Sequence, residues 1–226
     1  MPTSNDTFPR LLTEIDDLSR PDHSWLGAAD QCLFLGEYTA RKGFSFSATN
    51  QVIFNFKKSV DRRGRGEWQH KERTIAEVGQ AFGTALNPAW LATATLVPMP
   101  PSKARTDPLY DDRMVRMLRA IPAAKALDIR ELLIQGQSMT AAHDADVRPT
   151  PDTIAAGYSI DEALAAPAPT LIGIFDDVLT TGAHYIAARR VLSRRFPGAK
   201  VLGLFIARRA PETTDFSVFF EPPDDE

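Results

Sequence analysis

The sequence predicts an α/β fold with a central parallel sheet flanked by helices, preceded by an N-terminal α+β extension. Two apolar runs of strand length, at 171–175 and 201–206, enclose a segment whose apolar residues recur at helical spacing. Strands that are apolar on both faces and alternate with amphipathic helices are typical of a parallel sheet covered on both sides. The chain has 226 residues, enough to bury a core without disulfide or metal support.

The first part of the chain, residues 1–90, is assigned to an extension or hood of unknown role. Its expected elements are, in order, a short helix near 11–18, strands with a hairpin within 32–58, and a helix over 71–86. The hairpin depends on the alternation Val52-Ile53-Phe54-Asn55-Phe56. The later helix depends on apolar residues three or four positions apart, and Asn87-Pro88 ends it.

The second part, residues 91–226, is assigned to an α/β core. Its patterns predict, in order, a strand over 92–99, a helix over 109–121, a strand over 129–134, mostly loop with a short helix near 160–165, the strand over 171–175, a helix over 182–196, the strand over 201–206 and a last strand over 216–220. Ligands of such sheets bind beyond the carboxyl ends of the strands. The loops 100–112, 176–184 and 207–212 are therefore expected to lie together.

Composition narrows the class of protein. The net charge of −3 argues against attraction of the whole surface to nucleic acid, though not against a local basic patch. The single cysteine, Cys32, excludes an intramolecular disulfide and a cysteine-rich zinc site. The first 25 residues lack a signal-like apolar stretch, so a cytoplasmic protein is expected. The uncharged segment 78–102 is interrupted by four prolines, which argues against a membrane span.

An acid pair, Asp176-Asp177, follows the apolar run at 171–175, and Thr180-Thr181-Gly182 comes next, before the predicted helix. The first N–H groups of a helix lack partners and carry the positive end of its dipole, so a phosphate fits there. Carboxylates just upstream can accept hydrogen bonds from vicinal hydroxyls. Phosphate at one end and a diol at the other describe a ribose 5-phosphate, whereas a generic anion-holding turn is the plainer alternative.

The stretch IFDDVLTTGA, residues 174–183, resembles the phosphoribosyl-pyrophosphate (PRPP) signature of type I phosphoribosyltransferases. In that family the acids engage the ribose 2- and 3-hydroxyls, and the threonine-glycine loop holds the 5-phosphate. The resemblance implies a type I phosphoribosyltransferase-like fold, with Asp176 and Asp177 as catalytic residues. It also implies a 5-phosphate loop made of Thr180, Thr181, Gly182, Ala183 and His184. His184 stands where the family often has threonine.

A second stretch, LVPMPPSKAR at 96–105, resembles the Val-Pro-x-Pro loop of the competence-protein ComF branch of this family. There the loop holds the pyrophosphate half of PRPP, which implies that role for Ser102, Lys103 and Arg105. The alternative is a proline-stiffened surface loop with solvated charges. Arg113, on the predicted helix that follows, is the preferred further ligand contact.

The resemblance covers residues 92–210. The chain also differs from the ComF branch in one respect, and several residues have two possible interpretations. The ComF cysteine zinc module is absent. His143 and Arg148 fit either lid residues or ordinary loop polarity, and Arg208 and Arg209 fit either pyrophosphate contacts or surface charges. Residues 57–73 hold seven Lys/Arg against three acids. They fit a single-strand nucleic-acid patch or, as we favour, the solvated tip of a hairpin.

The resulting hypothesis is a PRPP-dependent phosphoribosyltransferase that acts on an unknown base or amine and releases pyrophosphate. Mg²⁺ is expected to be held by the substrate, with no direct protein ligand and Asp176 or Asp177 reaching it through water. The alternatives are a regulator that binds PRPP or a nucleotide without turnover, and a ComF-like single-strand DNA-processing factor. No membrane partner is expected, and a homodimer is left open.

Overall fold

A computed structural model describes residues 7–136 and 149–211. Its strands are β1 (Thr13–Glu14), β2 (Cys32–Thr39), β3 (Thr95–Pro98), β4 (Asp128–Ile129), β5 (Leu133–Gln135), β6 (Tyr158–Ile160), β7 (Leu171–Leu179) and β8 (Lys200–Ala210). Its α-helices are α1 (Ala48–Phe56), α2 (Trp68–Ala85), α3 (Pro88–Leu91), α4 (Arg113–Arg119), α5 (Pro151–Ala156) and α6 (Ala183–Arg195).

Six strands form the main sheet in the order β1-β2-β8-β7-β3-β4, and β5 pairs with β6 in a separate antiparallel ribbon. Within the main sheet the β1–β2 pair is antiparallel, and the other pairs are parallel. The predicted α/β fold with a central sheet flanked by helices is confirmed, and the sheet is mostly rather than entirely parallel.

Strand register brings several loops to one edge of the sheet. Thr39 pairs with Ala210, Leu179 with Arg208, and Pro98 with Phe175. The carboxyl ends of β2, β8, β7 and β3 therefore lie at the same edge, so that the segments that follow these strands lie near one another.

Apolar side chains fill both faces of the sheet. One cluster joins α1, α2 and α4 to the sheet through residues such as Phe56, Phe82 and Phe175, and the rings of Phe82 and Phe175 meet edge-on at 5.2 Å. The other joins α5 and α6 to the opposite face through residues such as Ile154 and Tyr185. Burial on both faces explains why β7 and β8 read as continuous apolar runs.

Two predictions in the first part of the chain are wrong. Residues 52–56 form the second half of α1 rather than a strand, because Val52, Ile53 and Phe56 fall on one helical face and are buried there. The expected helix at 11–18 is absent. Asp16 instead accepts hydrogen bonds from the backbone N–H groups of Leu18 and Ser19, a local turn that competes with helix formation.

Further differences concern the second part. The single strand expected over 129–134 is divided, since β4 ends at Ile129 and β5 begins at Leu133 in the other sheet. The segment expected to be mostly loop contains α5 and β6, and its predicted short helix is a 3₁₀ turn at Glu162–Leu164. Strand β7 continues four residues past its predicted end and includes the acid pair. The strand predicted at 216–220 lies outside the described residues.

The segment before residue 90 contributes directly to the main sheet. Strand β2 lies between β1 and β8, with seven residue pairs in parallel register with β8. The sheet thus takes strands from both sides of residue 90, while α1 and α2 cover one of its faces.

In the part of the chain that the structure describes, no helix has the length and apolarity needed to cross a lipid bilayer.

We expect Gly79→Ala to lower the free energy of unfolding by about 1–3 kcal/mol, measured by denaturant titration. A Cβ at this position of α2 would lie 2.8 Å from both the Met117 carbonyl oxygen and the Ala120 Cβ. The resulting clash outweighs the gain in helix propensity, which is at most about 1 kcal/mol. As control, Gly66→Ala meets nothing within 4 Å and should shift stability by no more than about 0.5 kcal/mol. Equal effects of the two substitutions would contradict the close α2–α4 packing.

Candidate functional site

The acid pair lies near the carboxyl end of β7, still within the strand. Successive strand residues point to opposite faces of a sheet, so the two carboxylates have different surroundings. Asp177 is buried, whereas Asp176 is partly exposed. The Asp177 backbone N–H donates a hydrogen bond of 2.7 Å to Asp176 Oδ1, which fixes the Asp176 carboxylate.

Two cations hold the Asp177 carboxylate. Lys57 Nζ, just past the end of α1, lies 3.1 Å from Asp177 Oδ1. Arg113 Nη2, at the start of α4, lies 2.7 Å from Asp177 Oδ2. Both carboxylate oxygens are therefore engaged, and Arg113, predicted from the sequence as a ligand contact, is brought to the acid pair.

The surroundings of the two carboxyls shift their pKa values in opposite directions. Burial and the adjacent Asp177 charge raise the pKa of Asp176 above the usual aspartate range. Burial alone would also raise the pKa of Asp177, but the charges of Lys57 and Arg113 outweigh it and lower that pKa. Burial acts against the charge of Arg113, yet Asp177 and Asp111 raise its pKa. Negative charge is thus fixed on Asp177, and Asp176 is the carboxyl that exchanges a proton more readily.

The predicted 5-phosphate loop joins β7 to α6. Gly182 has φ +85°, a left-handed conformation that glycine adopts without strain, and Ala183 begins the 13-residue helix α6. Thr180 is exposed and Thr181 is half-buried, with Thr181 Oγ1 3.5 Å from the Ala183 nitrogen. The turn and the N–H groups at the start of α6 together make a surface suited to an anion.

His184, in the first turn of α6, has a protein partner. Its Nδ1 lies 3.1 Å from the Tyr158 hydroxyl, which is also 3.6 Å from Met99 Sδ. Burial and the Asp176 charge raise the pKa of Tyr158, so its hydroxyl keeps its proton. The ring of His184 is therefore oriented by Tyr158 of β6, a contact that a threonine at position 184 could not make in the same way.

Residues 23–26 contact the backbone of this loop, a role that the sequence analysis did not identify. His23 Nδ1 makes a short hydrogen bond to the Thr180 carbonyl oxygen, and the Trp25 N–H donates to the Thr181 carbonyl oxygen at 2.9 Å. A Cβ on Gly182 would lie 2.9 Å from Leu26 Cδ2, so a larger residue at position 182 would also have to displace the Leu26 side chain. A histidine and two apolar residues in a polar segment carry no motif that could have identified them.

A cleft of about 400 Å³ adjoins the loop. Thr180, Thr181 and His184 line one side of it. Tyr38 of β2 and Arg209 of β8, which are paired in the sheet, also line the cleft. So does Lys57, which contacts Asp177. Its wall therefore combines anion-binding groups with an aromatic ring, which suits a phosphorylated ligand that carries a planar group.

The three residues assigned to pyrophosphate do not line this cleft. Lys103 and Arg105 face a separate small cavity beside Tyr110 and Glu131, and Arg105 Nη2 pairs with Glu131 Oε2 at 2.9 Å. Ser102 is exposed on the same loop. The structure thus brings Arg113, but not Ser102, Lys103 or Arg105, into contact with the acid pair within the described residues. Asp176, Asp177 and Arg113 do not line the cleft themselves and reach it through Lys57, the partner of Asp177.

The arginines at the end of β8 point to opposite faces. Arg208 is engaged by Asp22 at 2.9 Å and by Glu37, and its guanidinium lies over the Phe34 ring. Arg209 instead lines the cleft. His143 and Arg148, considered as lid residues, lie outside the described residues.

The basic segment 57–73 is not a hairpin tip, because it connects α1 to α2 and includes the first turns of α2. Several of its cations are directed inward or engaged locally. Lys57 contacts Asp177, Lys71 is fully buried against Asp111, and Lys58 Nζ donates to the Glu67 carbonyl oxygen. The segment therefore presents fewer free charges than its composition suggests.

Within residues 7–136 and 149–211, no three or more His, Cys, Asp or Glu side chains are grouped so that they could hold a metal ion. A metal at this site would depend on ligand oxygens, with Asp176 as the acid whose carboxylate is not paired with a cation of the described residues.

Neither a protein-family model nor a curated protein matches the chain. Function is therefore inferred from the site itself.

We expect the stability of the protein to fall as the pH drops below the usual histidine range, in part because of His23. Burial lowers the pKa of His23, so the unfolded chain takes up a proton at a pH where the folded protein does not, and acid favours unfolding. The Thr180 carbonyl can only accept, so Nδ1 of the neutral ring carries the proton. Protonation would then place a charge on Nε2, a buried atom with no hydrogen-bond partner among the described residues.

His23→Asn keeps a donor for Thr180 and removes the titration, so its unfolding free energy should depend less on pH between 5 and 7. Denaturant titrations across this range provide the measurement. His70→Asn, at an exposed position of α2, should keep the pH dependence of the parent. An unchanged slope in His23→Asn would rule out this origin.

Proposed function

We propose that the protein is a PRPP-dependent phosphoribosyltransferase that transfers ribose 5-phosphate to a base or amine and releases pyrophosphate. The observation that supports this most is the placement of two unlike carboxyls at the end of β7, followed at once by the left-handed Gly182 and the start of α6. A ribose 5-phosphate carries a diol and a phosphate on one sugar ring, so it could engage the carboxyls and the turn together. The adjoining cleft gives room for the rest of the ligand.

The 5-phosphate would bind the turn from Thr180 to His184, through the threonine hydroxyls and the N–H groups at the start of α6. Asp176 and Asp177 would accept hydrogen bonds from the ribose hydroxyls. Because Lys57 and Arg113 already occupy Asp177, the diol would share that carboxylate with them or displace one of them.

In the proposed reaction the bond between the anomeric carbon and the pyrophosphate oxygen breaks, and a bond to the acceptor nitrogen forms. Positive charge develops on the sugar, and the fixed negative charge of Asp177 stabilises it electrostatically. Asp176, with its raised pKa, suits the exchange of a proton near neutral pH.

The departing pyrophosphate needs positive charge. Lys57 and Arg113 are the cations next to the acids, and we assign them this role together with Ser102, Lys103 and Arg105, which the sequence resemblance implies. Arg105 would first have to leave Glu131. Mg²⁺, coordinated by diphosphate oxygens and water, would neutralise the leaving group.

A second candidate is a protein that binds PRPP or a nucleotide without turnover. The pairing of both Asp177 oxygens with cations favours it, since a carboxylate held in this way is a weaker partner for a diol. We do not propose single-strand nucleic-acid binding, because Lys57 and Lys71 of the basic segment are paired with Asp177 and Asp111.

We expect PRPP to bind the protein in an isothermal titration, more tightly with Mg²⁺ than without. A panel of nucleobases and amines, assayed for pyrophosphate release, then separates the two candidates: release identifies the transferase, and binding without release selects the non-catalytic protein. Absence of PRPP binding both with and without Mg²⁺ would rule out both.

Asp177→Asn should weaken PRPP binding about 10- to 100-fold, the usual cost of losing one charged hydrogen bond, with an unchanged circular dichroism spectrum. Asp152→Asn is the matched control, because Asp152 is an exposed aspartate of α5 whose side chain is 87% accessible. A dissociation constant that is equal in Asp177→Asn and the parent would contradict the placement of the ribose.

A further inference from the structure

Five charged side chains form an unbroken series of contacts that leads from α2 to the acid pair. Lys71 Nζ lies 2.6 Å from Asp111 Oδ2, Asp111 Oδ2 lies 2.8 Å from Arg113 Nη1, and Arg113 Nη2 lies 2.7 Å from Asp177 Oδ2. Lys57 Nζ completes the series at 3.1 Å from Asp177 Oδ1. Positive and negative groups alternate along it.

Lys71 has no exposed side-chain surface, which is unusual for lysine. Besides Asp111, its Nζ donates to the Lys58 carbonyl oxygen at 2.6 Å and lies 5.4 Å from the centre of the Trp68 ring. Removing an ammonium group from water is costly, and burial lowers the pKa of Lys71 although Asp111 partly offsets this. An exposed lysine would pair with Asp111 at a smaller desolvation cost. The burial of Lys71 therefore indicates that a fixed position of its charge is important for holding Asp111.

Asp111 links this anchor to the site. Its Oδ2 meets both Lys71 and Arg113, and its Oδ1 accepts from the Arg113 backbone N–H at 3.2 Å. Asp111 therefore fixes both the first residue of α4 and the direction of its guanidinium group. The adjacent Asp112 has no such role, since among the described residues its carboxylate makes only a 3.9 Å pair with Arg116.

We propose that Lys71 and Asp111 are positioning residues. They hold Arg113 where its guanidinium group can contact both Asp177 and the anionic ligand. Arg113 is held by Asp111 on one nitrogen, and it presents the other to Asp177. It can therefore turn toward a diphosphate without losing its anchor. The identity of the ligand in this inference rests on the proposed function, whereas the anchoring of Arg113 is independent of it.

The first test is a double-mutant cycle on PRPP affinity. Asp111→Asn should weaken PRPP binding about tenfold in the parent and have little effect in an Arg113→Met background, because Asp111 acts through Arg113. Asp112→Asn, the neighbouring control, should leave the dissociation constant within about twofold of the parent. Equal losses in the parent and in the Arg113→Met background would overturn the proposal.

The second test needs no ligand. The Arg113 Nε–H signal, assigned in ¹H–¹⁵N NMR spectra by its loss in Arg113→Met, should exchange slowly with water in the parent and in Asp112→Asn. In Asp111→Asn and in Lys71→Met it should broaden or exchange faster. Unchanged exchange in both variants would overturn the anchoring even if PRPP binds. Failure of the parent to bind PRPP, with this NMR result as expected, would refute the proposed ligand alone.

Discussion

The buried negative charge of Asp177, held between Lys57 and Arg113, is the interaction on which the rest of the site depends. Its three members come from β7, from the end of α1 and from the start of α4. A charge of this kind is tolerated away from water only while its partners stay in place, so it ties the two helices to the carboxyl end of the sheet. The layer of α1, α2 and α4 that covers one face is thereby linked to the position of the acid pair.

The site is supported from two sides by parts of the chain that are distant in sequence. On the face of α1 and α2, the charged series that starts at Lys71 sets the position of Arg113. On the other side, His23 and Trp25 hold the carbonyl groups of the turn before α6. Lys71, His23 and Trp25 all come from the segment before residue 90, so this segment contributes to holding Arg113 and the turn in place.

Local patterns were sufficient to locate β7, α6 and β8, because each has a long apolar run or a helical repeat, but both strands extend four residues past their predicted ends. They were insufficient for residues 52–56, where one set of apolar positions fits both a strand and the buried face of α1. The motif at 174–183 identified the acid pair and the turn. It could not identify Lys57 or His23, whose contacts with Asp177 and Thr180 span more than a hundred residues of sequence and depend on how the elements pack.

The acid pair lies inside a paired strand rather than in a loop, and this joins its chemistry to the alignment of the whole sheet. Asp176 is opposite Phe205 of β8, in a ladder that begins at Leu171. A slip of β7 by one residue would turn every side chain to the opposite face and exchange the environments of the two acids. The backbone hydrogen bonds that fix the register of β7 therefore also maintain the difference in pKa between the two carboxyls. A change in that register would change both the core packing and the two pKa values.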